Sequence, residues 1–276
     1  MLANDKEISM TRLRVALFIV LAASASSLIA SRRADVITAG RRSSLIIPVA
    51  GSVAGAFGTF WRTDLSVINY RDVEQRTLIT YSSSGTFSYG SEVDVEVVLP
   101  AHSTTTYEDV VSTLFQKNGL GVIYINPTFE TAFDPAADLD ATYRIWTDQP
   151  GRGGTMSQAS SALHVFELPT GTQTRVIIGA RQDANFRCNV GVTYIGYGAR
   201  SFRITARSAS GSVTTTVLVE GYNMAQVALP QGNLGYMTLT VEPLDVLDGE
   251  VWSAYASTID NVSGDAWLQN AEPQAK

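Results

Sequence analysis

Two arginine–aspartate couples are the residues whose types and spacing bear most directly on chemistry: Arg62 with Asp148, and Arg187 with Asp260. A guanidinium inside a β-protein needs a carboxylate or carbonyl partner, because a buried charge left unpaired is strongly destabilising. The two couples stand at matching places in an internal repeat. That recurrence favours a structural tie between an early strand and a late one over a ligand-binding arginine at a domain rim.

The other candidates carry weaker chemistry. Oxygen-rich loops precede the late strand of each repeat, with Asp134, Asp138 and Asp140 in the first and Asp245, Asp248 and Glu250 in the second. Such loops suit calcium in principle, yet neither follows the alternating ladder of a calcium-binding loop, and no metal is assigned to them. His102 and His164 are isolated in sequence, and Cys188 has no neighbouring ligand, which argues against a zinc site. As the sole cysteine, Cys188 can close no intrachain disulfide, and its place in a strand-like run reads as a small core side chain. The run Gly85-Thr86-Phe87-Ser88-Tyr89-Gly90 has one residue too many for a nucleophile elbow. Gly151-Arg152-Gly153-Gly154 and Gly196-Tyr197-Gly198 open no helix and read as turns. No catalytic or cofactor-binding residue is assigned. Trp146, Trp252, Trp267, Tyr194 and Tyr197 offer flat rings for a protein or carbohydrate surface, whereas Trp61 and Phe186, at matched positions, read as core.

The elements that must position these residues are strands. Short β-branched and aromatic runs recur about every ten residues between Gly, Ser, Asn and Pro, as in a sandwich or barrel. Val93-Asp94-Val95-Glu96-Val97 and Phe202-Arg203-Ile204-Thr205-Ala206 alternate strictly, so each has one buried and one solvated face. Tyr107–Gln116 is the one segment with helical spacing, with Val110, Val111, Leu114 and Phe115 on one side and Asn118-Gly119 as the stop. Of the 276 residues, 45% are hydrophobic and 17% charged, which supports a packed core and excludes extensive disorder. The net charge of -6, with no basic face, argues against nucleic acid as a partner.

Self-comparison shows the repeat. Trp61-Arg62-Thr63-Asp64-Leu65 matches Phe186-Arg187-Cys188-Asn189-Val190, Leu45-Ile46-Ile47 matches Val176-Ile177-Ile178, and Gly121–Pro127 matches Met237–Pro243. Tyr143 with Asp148 matches Tyr255 with Asp260. The expected fold is therefore all-β, with two tandem antiparallel, immunoglobulin-like β-sandwich domains at 43–161 and 162–267, and a polar tail at 268–276. In the second copy the helical Tyr107–Gln116 is expected to shrink to Tyr222–Leu229. Ahead of them, Arg12 and Arg14 precede the apolar run Val15–Ala23 and the small-residue site Ala23-Ser24-Ala25, which reads as a signal peptide at 1–25 followed by a linker at 26–42. After its removal no stable membrane span is expected.

The segments Trp61–Leu65 and Tyr255-Ala256-Ser257-Thr258-Ile259-Asp260-Asn261 resemble those of a group of uncharacterised secreted bacterial proteins with the same motif order and repeated β-domains. The resemblance implies export and fold and carries over no active site. The expectation is an exported, non-catalytic protein of the cell envelope or surroundings. Its sandwich loops would face a protein or glycan partner, and its strand edges would be available for homo-oligomers. A carbohydrate-binding module is the alternative, and a secreted hydrolase the more distant one.

Overall fold

The computed structural model describes residues 44–85, 92–129, 132–134, 136–149, 151, 153–230 and 232–274. The expected signal peptide and linker, and Ser88 and Arg152 of the glycine-bearing runs, lie outside them. Among the described residues regular structure is β apart from one 3-10 turn at Ala56–Gly58 and one short helix, α1 (Val110–Thr113). The first half holds β1 (Leu45–Ala54), β2 (Phe60–Asn69), β3 (Gln75–Ser83), β4 (Val93–Leu99), β5 (Ser103–Tyr107), β6 (Gly119–Phe129), β7 (Ala132–Phe133), β8 (Leu139–Asp148) and β9 (Thr155–Ser161). After β10 (Leu163–His164), the second half holds β11 (Arg175–Gln182), β12 (Phe186–Ile195), β13 (Arg200–Ser208), β14 (Gly211–Val219) and β15 (Asn223–Ala228). It continues through β16 (Gly235–Pro243), β17 (Val251–Asp260), β18 (Ala266–Asn270) and β19 (Glu272–Pro273).

All pairings are antiparallel. In the first half β4-β3-β6-β1 form one layer and β5-β2-β8-β9 the other, joined at a corner where β1 runs into β2. In the second half the layers are β14-β13-β16-β11-β19 and β15-β12-β17-β18. Strand for strand the pairing order is the same, and β1 and β11 each carry a register shift opposite β6 and β16, at Ile47/Ala50 and Ile178/Ala180. The alternating patterns direct Leu65 and Val67 of β2, and Phe202 and Ile204 of β13, into the two cores.

The helical segment is shorter than its spacing predicts. Tyr107 ends β5, Asp109 enters α1 with a left-handed φ of 43°, and Gln116, at φ 54°, closes it. There the Lys117 amide donates to the Val111 carbonyl, so the stop comes ahead of Asn118-Gly119. Residues 223–228 of the second half form β15 rather than a reduced helix, and β15 takes the place beside β12 that β5 takes beside β2. The helix is thus a feature of the first half's connection alone among the described residues.

The two halves share a core. Eight consecutive residues of β1 and eight of β17 are buried, a pattern that requires cover on both faces of the strand. Ile195, Met224 and Tyr255 of the second half belong to the hydrophobic cluster of the first, while Trp252, Ala254 and Ala256 point the other way into the second. Polar contacts close the seam. Thr193 Oγ1 donates to the Pro48 carbonyl (3.0 Å), Ser257 Oγ to Gln158 Oε1 (3.0 Å), and Asn223 Nδ2 to the Ser83 carbonyl (2.9 Å). Tyr255 lies across Gly191, its ladder partner, where a Cβ would meet the ring at 2.1 Å, and its hydroxyl donates to Gln226 (2.8 Å).

Two predictions follow from this packing. Gly191→Ala should lower unfolding free energy by about 1–3 kcal/mol, because the buried Tyr255 ring has nowhere to move; a denaturant midpoint unchanged from the parent would contradict the seam described. Burial pushes the Cys188 thiol and the Tyr81 hydroxyl up to about 12. Both hold their protons more tightly folded than unfolded, so their contribution is complete below about pH 9 and is lost as pH rises toward about 12. Urea midpoints measured over that alkaline range should decline steadily, and a flat profile would count against it.

Candidate functional site

Arg62 projects from the outer face of β2 beside its ladder partner Trp146. Its guanidinium carbon lies 5.0 Å from the centroids of both the Trp146 and the Phe60 rings, and Arg144 approaches Trp146 from two residues away on β8, at 5.7 Å. Arg62 Nη1 is 3.2 Å from Asp148 Oδ2 and its Nε 3.9 Å from Asp109 Oδ2. The Asp148 side chain is 72% exposed, so the contact is a solvated one and contributes at most about 1 kcal/mol. Asp64 joins the group by accepting the Asp109 amide (3.1 Å). The Trp146 indole nitrogen is shielded from solvent and has no acceptor among the described residues.

Arg187 makes a different bond from the one expected. Its Nη1 donates to Asn261 Oδ1 at 2.6 Å, and no ion pair with Asp260 forms. The ladder supplies the reason. Arg62 lies opposite Trp146 and Arg187 opposite Ile259, so the residues two places further on are Asp148 and Asn261. Matching Tyr143 to Tyr255 by identity is a slip of one residue: Tyr143 faces Leu65, and the residue facing Val190 is Ala256. In a strand such a slip turns every side chain to the opposite face. Asp260 instead accepts the amides of Val262 (2.7 Å) and Ser263 (3.1 Å), bonds that hold its carboxyl below the usual aspartate range.

Arg187 has no carboxylate within ion-pair distance among the described residues, and burial lowers its affinity for the proton. Phe57 lies 5.6 Å from its guanidinium. Phe57 sits at the tip of the β1–β2 connection, left-handed at φ 58° and 72% exposed, so a residue of the first half lies over a strand of the second. Val262, beside Asn261, is 80% exposed. On the other face of β12, Arg181 lies 3.8 Å from the Phe186 ring and 5.1 Å from Tyr236, itself 67% exposed, and Trp267 tilts against Phe186 at 5.8 Å. Arg181 is neutralised by Asp183 at 2.6 Å. Gln149, just past β8, donates to the Ser263 carbonyl (3.5 Å) and ties the Arg62 group to the 261–265 turn. The result is that Arg62 with Trp146 and Phe60, and Arg187 with Phe57, stand on the side of β12 that meets the first half, at the junction of the two halves.

The remaining sequence candidates are placed elsewhere. His164 Nε2 is 4.0 Å from Asp140, and His102 occupies a turn at φ 48°. Asp134 pairs with Arg71 (2.7 Å), Asp245 accepts the Ser201 amide (2.6 Å), and Glu250 binds Arg200 (2.7 Å) and Tyr194 (2.6 Å). No three His, Cys, Asp or Glu side chains converge among the described residues. Trp252 and Tyr194 are buried, whereas Tyr197 is exposed against Tyr222. Sequence reading missed Phe57, Arg181 and Tyr236, and also Arg175. The last is buried 4.0 Å above the Trp252 ring, donates to the Pro169 carbonyl (2.6 Å), and is lowered to about 10 by burial. Comparison with protein-family models and with curated proteins gives no match.

A double-mutant cycle separates the two roles at the end of β17. Arg187→Ala combined with Asn261→Ala should show a coupling of about 0.5–1.5 kcal/mol in unfolding free energy, whereas Arg187→Ala with Asp260→Ala should be additive. Coupling to Asp260 and not to Asn261 would reverse the assignment.

Proposed function

We propose that this chain is an exported, non-catalytic interaction protein, built from two copies of one sandwich domain, that engages a partner through the arginine–aromatic surface at their junction. The carrying observation is Arg187, a cation with no carboxylate partner among the described residues, beneath the exposed Phe57 ring. Exposed rings next to a guanidinium are what interface hot spots are made of, since they offer large contact area at little entropic cost. The common pairing order and the paired register shifts of the halves support the duplication. The pattern Arg12, Arg14 and Val15–Ala23 supports export. No helix among the described residues is long and apolar enough to cross a membrane.

A partner bearing a carboxylate fits Arg187 best. Glycan binding is the second reading, favoured by the exposed Phe57 and Tyr236 rings, each next to an arginine, as sugar-stacking platforms.

Photo-crosslinking residues installed at Phe57 and at Val262 of the exported chain should capture one common partner on the producing cell. The same group at Val98, exposed on β4, should not. Arg187→Ala should reduce capture at least about tenfold. Equal capture from Val98 would refute the surface, and a glycan array bound through Tyr236 would decide for the second reading.

A further inference from the structure

We infer that two copies of this chain join through β14, edge to edge and antiparallel, to make one continuous sheet across a twofold axis. This rests on the interaction-protein reading but not on the junction surface.

β14 is bonded to β13 along its whole length, from Gly211 opposite Ser208 to Val219 opposite Arg200, without a register shift. No strand among the described residues is bonded to its other side. An open row of amides and carbonyls of that length is a template for strand addition, and proteins commonly blunt such edges with charge, proline, a bulge or brevity. Gly211-Ser-Val-Thr-Thr-Thr-Val-Leu-Val219 has none of these.

The other edges are managed. β10 and β19 are two residues long, and β5 is five. β15 lies against the first half, where Asn223 donates to the Ser83 carbonyl, and β9 and β18 meet at the seam through Ser160 and Asn270. β4 carries Asp94 and Glu96 on its solvent face. Pairing β4 with itself about Val95 would set Asp94 against Glu96 of the second copy, a like-charge opposition.

The occupant is a second copy because β14 complements itself. Its solvent face carries Ser212, Thr214, Thr216 and Leu218, and its core-facing side Val213, Thr215 and Val217. A twofold axis at right angles to the sheet keeps each face in register only if residues of the same face are opposed. Centred on Thr215, it sets Thr214 against Thr216 of the second copy and Val213 against Val217. Threonine–threonine pairing is already used on the other flank of the strand, where Thr205 and Thr214 hydroxyls lie 3.2 Å apart.

Sedimentation equilibrium of the purified chain over a concentration series tests this. The parent should form dimers, and T214K/T216K and T214E/T216E should each associate at least about tenfold more weakly, since the axis opposes like charges twice. An equal mixture of the two variants should recover association, because lysines then face glutamates. Hydrogen exchange of the Gly211–Val219 amides in the parent, which needs no substitution, should slow as concentration rises. A parent that stays monomeric to its solubility limit, a dimer unmoved by both variants, or a mixture that fails to recover would overturn the proposal. Partner capture at Phe57 by the monomeric variants should persist, which separates failure of this interface from failure of the junction surface.

Discussion

The structure depends on one strand pair having both faces covered. β12 and β17 pair along ten residues, and their sheet lies between the core of the second half and the core of the first. Antiparallel sheets commonly leave one face to solvent; here the second face is apolar because the first half lies on it. Gly191 makes this geometrically feasible. Without a side chain at that position, the Tyr255 ring lies flat against its own sheet and still reaches the neighbouring cluster. The approach of Phe57 to Arg187 is a by-product of the same packing, since the two meet only because the halves are docked.

Polar chemistry at the seam supports this arrangement and is small in extent. Pro48 interrupts β1 where the ladder to β6 shifts, and its carbonyl is taken up by Thr193 across the seam. Ser257 and Gln158 bond each other in the interior, so neither group is left unsatisfied there. Each hydrogen bond of this kind contributes about 1 kcal/mol net, less than the apolar burial around it, but leaving one partner unmade costs more than the bond contributes. The bonds therefore define how the halves sit more than they determine how tightly they hold.

Alternation and turn residues made the fold class legible in the sequence. Period-two patterns such as Phe202–Ala206 identify half-buried strands, and the recurrence of aromatic-Arg at Trp61-Arg62 and Phe186-Arg187 located the matching strands. The late strand was misaligned because tyrosine identity outweighed register: Tyr143 faces its own core and Tyr255 faces the other half's, a distinction that needs the ladder. The arginine–aromatic surface was only partly legible. Arg62, Trp146 and Arg187 carried signals, whereas the contacts of Phe57 with Arg187 and of Arg181 with Phe186 and Tyr236 arise only through long-range packing, for which no local pattern exists.

The shared core also bears on the order in which the molecule is built. Synthesis proceeds from the N-terminus, and domains of a chain usually condense as each emerges. Here the cluster around Leu45, Val67 and Tyr143 also takes in Tyr255 of β17, and Leu268 packs against it. The leading half, however early its hairpins close, keeps an apolar flank open until β17 has appeared. That flank is covered by a tyrosine made more than a hundred residues after β8, so the core of the leading half closes only with strands of the second half.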